Sequence, residues 1–221
     1  MDAVNHVTGT MAILDSEMAL KANEVANRKT PGLHQAEFVW QSGQTAESTI
    51  RVVPGQKAAI AITGRSVDMA MAGKNYFAVD VQGSPMASLN GQGHLNAQGR
   101  LADSNGHEYI SDRQYRLDSH EFVIETGGQI RVGNTVVARL MVLPSESVQW
   151  QSATNAVYFP AGDQRPTFAN TGFVQGFLNG ASVDVNDNVS DILRLRNAYK
   201  MNSETIKKLY ATDDIILDGM K

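Results

Sequence analysis

The side chains that could carry chemistry are spread along the chain without the spacing that a reactive site needs. The five histidines are His6, His34, His94, His107 and His120. None stands in the HExxH arrangement, which places two metal ligands on one face of a helix. His107 and Glu108 are neighbours, and adjacent residues of a strand point to opposite faces. We therefore interpret this pair as a solvated turn, and the sequence predicts no metal site.

Signatures of nucleophilic and phosphate chemistry are also missing. The chain contains no cysteine, which excludes a thiolate nucleophile, a disulfide framework and a cysteine-based metal centre. No G-x-S-x-G elbow is present to activate a serine. The glycine-rich segment from Asn90 to Gly99 lacks the lysine and hydroxyl residue of a phosphate loop and is typical of β-turns. The sequence predicts a protein that is not an enzyme and has no cofactor.

The composition is that of an ordinary globular protein, with 42% hydrophobic and 19% charged residues among 221. The net charge of -4 argues against a nucleic-acid-binding protein, because phosphate binding needs a clustered basic surface. No segment approaches the ~18 consecutive apolar residues of a membrane span. The first residues lack the basic start and apolar core of a secretory signal peptide, so we expect any export to proceed without cleavage.

Helical periodicity marks the first region of the chain. Its apolar stripe consists of Val4, Val7, Met11, Leu14, Met18 and Val25. These positions follow a heptad repeat, which is interrupted where Lys21 takes an apolar place. We expect about three to four turns, ending before Thr30-Pro31-Gly32, because proline disfavours helix at the preceding residue. A helix this short is marginal alone in water, so its apolar seam needs a partner.

The middle of the chain, roughly residues 35 to 180, has the pattern of short antiparallel strands and turns. The run from Phe122 to Leu143 predicts three strands joined by turns at Gly127-Gly128 and Gly133-Asn134. In the third strand one face has Val136, Ala138, Leu140 and Val142, and the other has Val137, Arg139, Met141 and Leu143. Apolar residues on both faces indicate a strand that is covered, at least in part, on both sides.

Heptad periodicity returns from about Asp184 to the end of the chain. One sevenfold series contains Val185, Ile192, Tyr199 and Ile206. The other contains Leu195, Leu209 and Ile216, with Asn188 and Asn202 at its remaining places. The two series interleave as the a and d positions of a heptad repeat. Asparagine in such a seam weakens it, but can fix register and partner number.

Because both ends carry heptad helices, we expect the ends to meet within one subunit, between subunits, or both. The predicted fold class is α+β, with N- and C-terminal heptad helices paired as a coiled coil and a central antiparallel β domain. We expect an N-terminal helix in residues 1–34, a linker with extended segments in 35–62, a β-rich domain in 63–181 and a C-terminal helix in 182–221. The predicted subunit interface is Val4, Val7, Met11, Leu14, Met18, Val25, Val185, Ile192, Leu195, Tyr199, Asn202, Ile206 and Leu209.

Three segments of the chain match the signature positions of one known protein family. In residues 23–33 the matching positions are Asn23, Ala26, Asn27, Thr30, Pro31 and Gly32. Glu24 and Leu33 depart from the pattern there. In residues 63–79 the matching positions are Thr63, Gly64, Asp68, Ala70, Gly73 and Phe77. The closest match is Arg196–Ser203 near the C-terminus.

Together the three segments resemble the signatures of the flagellar rod and hook protein family. This resemblance implies a structural subunit of the bacterial flagellar basal-body rod. Such subunits pair their terminal helices to line an axial tube, with the β domain outside, and polymerise into the drive shaft for motility. The implied partners are the chain itself, other rod subunits and the flagellar type III export apparatus, and the implied location is the periplasmic rod. Neither a nucleic acid partner nor a membrane span is implied.

Three alternatives stay open. Within the family, the short run between Gly32 and Thr63 favours the proximal rod subunit, with the distal rod subunit as the alternative. Outside the family, the chain would be a monomeric β-domain binding module whose end helices form a private hairpin. The basic residues of the last helix, which include Arg194, Arg196 and Lys200, are either a solvated face or salt-bridge partners of neighbouring subunits.

Overall fold

The computed structural model describes residues 2–41, 47–52, 59–149 and 157–218. Within these ranges the chain runs from helix α1 (Asp2–Ala26) through short strands to helix α2 (Val185–Asp218). The strands are β1 (Ala36–Gln41), β2 (Glu47–Val52), β3 (Ile60–Ile62), β4 (Met69–Met71), β5 (Asn75–Val81), β6 (Ser84–Ser88), β7 (Gly93–Leu95), β8 (Leu101–Asp103), β9 (Val123–Ile124), β10 (Gln129–Val132), β11 (Thr135–Arg139), β12 (Val142–Pro144), β13 (Tyr158–Pro160), β14 (Phe173–Gln175) and β15 (Phe177–Asn179). The predicted α+β class is confirmed at this level.

The chain divides into two compact units. The first consists of Met1–Asn27, Trp40–Ser48 and Asp184–Lys221, and the second of Arg28–Val39 and Thr49–Val183. Residues 42–46 and 53–58 of the predicted linker lie outside the described residues. The predicted division into four segments stays a prediction.

Helix α1 is longer than the sequence predicts. Its 25 residues make about seven turns, although it ends at Ala26, before Thr30, as expected. The hydroxyls of Thr8, Thr10 and Ser16 each donate a hydrogen bond to the carbonyl four residues earlier. Side chains that often compete with helix are thus accommodated inside it. Within the described residues, neither helix has an apolar stretch that could cross a membrane.

In the part of the chain that the structure describes, the strands pair in six small sheets. The largest has the order β12-β5-β6-β13, and a three-stranded sheet has the order β11-β10-β9. The remaining pairs are β1 with β2, β14 with β4, β15 with β3, and β7 with β8. All of the strand registers described are antiparallel, which confirms the predicted strand direction.

The two turns predicted between Phe122 and Leu143 are confirmed, whereas the prediction for the last strand of this run needs correction. Gly127-Gly128 lies between β9 and β10, and Gly133-Asn134 lies between β10 and β11. The predicted third strand is broken after Arg139, and its second part, β12, pairs with β5 in the other sheet. Long-range hydrogen bonds cause the change, because the amide of Met141 donates to Ile110 and that of Val142 to Thr167.

The expected two-sided burial of this strand is only partly correct. Ala138, Leu140 and Val142 are buried, whereas Val136 on the same face is 39% exposed. On the opposite face Leu143 is fully buried. Val136 lies in the hairpin beside the exposed Gly133-Asn134 turn, and the described residues leave that end of the strand exposed.

Aromatic side chains form much of the core of the second unit. The ring centroids of Phe77 and Tyr109 lie 5.6 Å apart, and those of Phe77 and Phe173 lie 5.7 Å apart. His34 is buried as well. The centroid of its ring lies 5.2 Å from that of Phe159 and 5.8 Å from that of Tyr76. Burial of each large apolar side chain contributes ~1.5–3 kcal/mol before the cost of ordering it.

Candidate functional site in the terminal helices

The predicted seam of α1 occupies its less exposed side. All six seam residues named for this helix are half-buried, whereas Asn5, His6 and Asp15 between them are exposed. Lys21, at the seam position that interrupts the apolar stripe, is only 6% exposed. The six residues thus lie on a partly covered side of the helix. That they form a subunit interface stays a prediction.

Helix α2 begins at a capping aspartate and has a comparable seam. The Oδ1 atom of Asp184 accepts hydrogen bonds from the amides of Asn186 and Asp187 at 2.9 and 3.2 Å, which satisfies two donors of the first turn. The half-buried seam residues are Val185, Ile192, Leu195, Asn202, Ile206 and Leu209. Tyr199 is 37% exposed, and the side chain of Ile216 lies outside the described residues.

The two helices contact each other, and a buried polar cluster joins the last turns of α1 to the first turn of α2. The Nδ2 atom of Asn188 donates a hydrogen bond to Oε2 of Glu24 over 2.7 Å. The Nζ atom of Lys21 lies 3.4 Å from the same oxygen. Glu24 is 2% exposed and Asn188 is not exposed. A buried carboxylate requires such partners, because removal from water penalises its charge.

All three members of this cluster stand out in the sequence, but nothing there connects them. Lys21 was an interruption of one seam, Asn188 was a polar position of the other, and Glu24 was a departure from the family pattern. Lys21 and Glu24 stand three residues apart, a spacing that allows an ion pair on one helix face. That spacing is the signal that could have indicated a buried pair.

The first part of the family motif completes α1. The side-chain amide of Asn27 donates to the backbone carbonyl of Asn23 at 2.9 Å and to its Oδ1 atom at 2.7 Å. The backbone amide of Asn27 also donates to the Asn23 carbonyl, at 3.0 Å. Ala26 is the last helical residue and is exposed. The two asparagines therefore satisfy polar groups that a helix end leaves open.

The second part of the motif, Thr30-Pro31-Gly32, is a turn of the other unit. The carbonyl of Thr30 accepts a hydrogen bond from Leu33, and the amide of Gly32 donates to Asn179 at 3.1 Å. Gly32 has a φ of +72°, and a Cβ atom there would lie 2.3 Å from the carbonyl carbon of Leu89. Both the backbone conformation and the close approach require glycine.

A second polar network lies inside the β-rich unit. Oδ1 of Asp103 accepts hydrogen bonds from the amides of Asn105 and His107, each at 2.9 Å, and its Oδ2 atom accepts one from the Tyr158 hydroxyl. Burial, followed by the hydrogen bond to Asp103, raises the pKa of Tyr158. These contacts connect β8 to β13, and we interpret them as structural.

The prediction of a solvated turn at His107 and Glu108 needs correction. The ring centroids of His107 and Tyr158 lie 4.8 Å apart with the rings nearly perpendicular, and the Nδ1 atom of His107 lies 3.4 Å from Oδ2 of Asp103. Glu108 accepts from Arg100 at 2.9 Å and from Asn96 at 2.7 Å. Both side chains are held by residues of neighbouring strands and turns. Among the described residues, no group of three or more His, Asp or Glu side chains is placed to hold a metal ion.

Comparisons with known proteins point in the same direction as the three motifs. No protein-family model matches the chain. The flagellar basal-body rod protein FlgF of Rhizobium meliloti (strain 1021) is 24% identical over 214 residues, covering 87% of this chain and 89% of the relative. The rod protein FlgG of Agrobacterium fabrum (strain C58 / ATCC 33970) is 26% identical over 181 residues, covering 72% of this chain. The chain is similar to flagellar basal-body rod proteins over most of its length.

The chain covers a different share of the length of each relative. The chain spans 66% of the length of the Agrobacterium protein, but 89% of the Rhizobium protein. The similarity covers most of the chain in both cases, so it includes more than the short motifs. It supports the resemblance that those motifs carry to the rod family.

Proposed function

We propose that this chain is a structural subunit of the bacterial flagellar basal-body rod and assembles through α1 and α2. The observation that carries the proposal is the similarity of most of the chain to two rod proteins. The half-buried seams of both terminal helices support the same function, because they leave apolar surface only partly covered in a single chain.

The proposed helix arrangement is an antiparallel coiled coil within each subunit. Glu24 stands near the end of α1 and Asn188 near the beginning of α2, so their hydrogen bond brings opposite ends of the two helices together. If Val25, next to Glu24, lies opposite Asn188, equal steps along the two helices place Met18 opposite Leu195, seven residues away on each, and Val7 opposite Ile206, 18 residues away on each. This pairing covers one side of each helix.

Neighbouring subunits would cover the remaining apolar surface. Leu193 is 55% exposed and Met201 is 69% exposed on α2, outside the heptad seam. Each such side chain that becomes buried contributes ~1.5–3 kcal/mol before ordering costs. We propose that the terminal segments become fully ordered only on assembly, so that folding of the helices and polymerisation are coupled.

Within the rod, we propose the proximal subunit, with the distal subunit as the alternative. The run between Gly32 and Thr63 is short and lacks a glycine-rich extension, which supports the first choice. The proposed partners are further copies of the chain, other rod subunits and the flagellar type III export apparatus. The proposed location is the periplasmic part of the basal body, where the rod serves motility.

Sedimentation of the purified chain over a range of concentrations, with hydrogen exchange on each fraction, tests the proposal. We expect sedimenting assemblies at high concentration and fast exchange in peptides of α1 and α2 at low concentration. Exchange of those peptides should slow in the assemblies, whereas the β-rich unit should be protected throughout. A chain that stays monomeric with both helices protected at every concentration would instead be the private-hairpin binding module.

A further inference from the structure

One polar cluster interrupts the apolar seam between α1 and α2. Its members, Lys21, Glu24 and Asn188, are 6%, 2% and 0% exposed. Within the described residues, the Oδ1 atom of Asn188 accepts no hydrogen bond although it is buried. Well-packed apolar residues often stabilise such a position as well as a buried charge does, or better. The cluster therefore calls for a role other than maximal stability.

We propose that Lys21, Glu24 and Asn188 form a register lock, which selects one alignment of α1 with α2 in the same chain. The inference rests on the helix pairing in the proposed function. It does not require that the chain polymerise. Single polar residues at seam positions of coiled coils are known to set register in this way, at a cost in stability.

The apolar seams alone leave a second alignment open. Both seams repeat every seven residues, so a slip by one heptad again brings seam positions opposite each other. Helix α2 has 34 residues and α1 has 25, so α2 is long enough to accommodate this slip. In the aligned register Val7 lies opposite Ile206. In the slipped register Leu14 takes the place of Val7.

The register lock distinguishes the two alignments through the partners of Glu24. In the aligned register its Oε2 atom accepts the 2.7 Å hydrogen bond from Asn188. A slip by one heptad moves Glu24 away from Asn188 and towards Leu195, which has no hydrogen-bond donor in its side chain. Lys21 stays on the same helix in both registers. The buried carboxylate thus loses its amide donor only in the slipped register, and that loss is unfavourable in an apolar seam.

Engineered cysteines can report each register separately, because the chain has no cysteine of its own. A chain with Val7→Cys and Ile206→Cys reports the aligned register, and one with Leu14→Cys and Ile206→Cys reports the slipped register. A heptad corresponds to ~10 Å along a helix, and a disulfide requires Cα atoms about 4.4–6.8 Å apart. Non-reducing electrophoresis separates disulfides within one chain from those between chains.

Mild oxidation of the full chain should give the aligned disulfide within single chains and little of the slipped one, most clearly in the sedimented fraction, where the helices are fully ordered. In the background Lys21→Leu, Glu24→Leu, Asn188→Leu, we expect the slipped disulfide to increase about tenfold, since the polar discrimination is removed. Asn202→Leu is the matched control, because it removes the other seam asparagine and should leave the slipped yield unchanged.

Four results would overturn the register lock, and three of them concern the lock alone. The first is an unchanged slipped yield in the triple variant, the second is an equal increase with Asn202→Leu, and the third is a dominant slipped disulfide in the chain without lock substitutions. Sedimentation of the same samples tests the proposed function separately. An aligned disulfide in a chain that never sediments would support the lock and argue against a filament. Absence of both disulfides in both fractions would contradict the lock and the helix pairing together.

Discussion

Asn179 hydrogen-bonds with its side chain to both backbone polar groups of Met71. Its Oδ1 atom accepts from the Met71 amide at 2.7 Å, and its Nδ2 atom donates to the Met71 carbonyl at 3.1 Å. Met71 is fully buried and Asn179 is 1% exposed. The Asn179 side chain thus makes hydrogen bonds to the end of β4 of the kind that a neighbouring strand would make. The carbonyl of Asn179 also accepts from Gly32, so this residue connects β4 to the family-motif turn.

Replacing Asn179 should destabilise the β-rich unit. Asn179→Ala leaves the buried amide and carbonyl of Met71 without these partners, and we expect a loss of ~2–3 kcal/mol in the free energy of unfolding. Asn179→Asp should be at least as harmful, because it loses the donor and buries a charge. Chemical denaturation monitored by tryptophan fluorescence measures both. The exposed Asn170→Ala is the control and should change little.

Substitution of Gly32 and of Gly73 distinguishes the stability cost of an unfavourable backbone conformation from the cost of steric overlap. Gly32 and Gly73 both have positive φ angles, of +72° and +80°. Only Gly32 approaches other backbone, since a Cβ atom at Gly73 would meet nothing within 4 Å. Gly73→Ala should therefore cost ~1–2 kcal/mol from its backbone conformation alone, and Gly32→Ala a further ~1–3 kcal/mol from overlap with Leu89. Equal melting temperatures for the two variants would contradict this account.

A charge in the α2 seam should stop assembly without unfolding the β-rich unit. Leu195→Asp or Ile206→Asp places a carboxylate among seam residues, where burial penalises it. We expect the sedimenting fraction to disappear while the thermal transition of the β-rich unit is retained. Asn197→Asp adds the same charge at an exposed position of α2 and should still assemble. Normal incorporation of the two seam variants into basal bodies would argue against the proposed function.

Alkaline pH should unfold the β-rich unit through its buried tyrosines. Burial raises the pKa of Tyr76 and that of Tyr115 from 10.0 to about 12. Between these values the unfolded chain releases phenolic protons that the folded chain retains. The stabilisation is therefore complete below about pH 10 and is lost as the pH rises towards about 12. Absorbance of tyrosinate, followed together with circular dichroism, should show ionisation and unfolding in the same pH range.

Tyr115→Phe tests the contribution of one phenol to this pH dependence. The variant removes a titrating group, so its stability should fall less steeply between about pH 10 and 12. At neutral pH it should be less stable by ~1 kcal/mol, because the Leu101 amide loses the hydroxyl that accepts its hydrogen bond. An unchanged slope above about pH 10 would show that Tyr115 does not control the alkaline transition.

Local periodicity explains what the sequence revealed about the fold. The heptad spacing located the half-buried sides of both helices, and the glycine pairs located two turns, because these signals depend only on nearby residues. The switch of β12 to another sheet was missed, since it depends on a hydrogen bond between Val142 and the distant Thr167. The burial of His34 was missed for the same reason, because Tyr76 and Phe159 enclose it from far along the chain.

The candidate site was predictable in its apolar part and unpredictable in its polar part. Seam positions follow from residue type and spacing. The partnership of Glu24 with Asn188 requires knowing which part of α2 faces which part of α1. No pattern within either helix contains that information.

The change of sheet between β11 and β12 has a mechanical consequence. The backbone leaves one sheet at Arg139 and enters the other at Val142, so a pull on either sheet is transmitted through two intervening residues. The amides of Leu140 and Met141 are themselves hydrogen-bonded, to Gly128 and Ile110. Torque applied to such a unit would load several hydrogen bonds at once, and would not open one strand pair after another. Sharing the load between two sheets would help the proposed rod subunit to resist twisting.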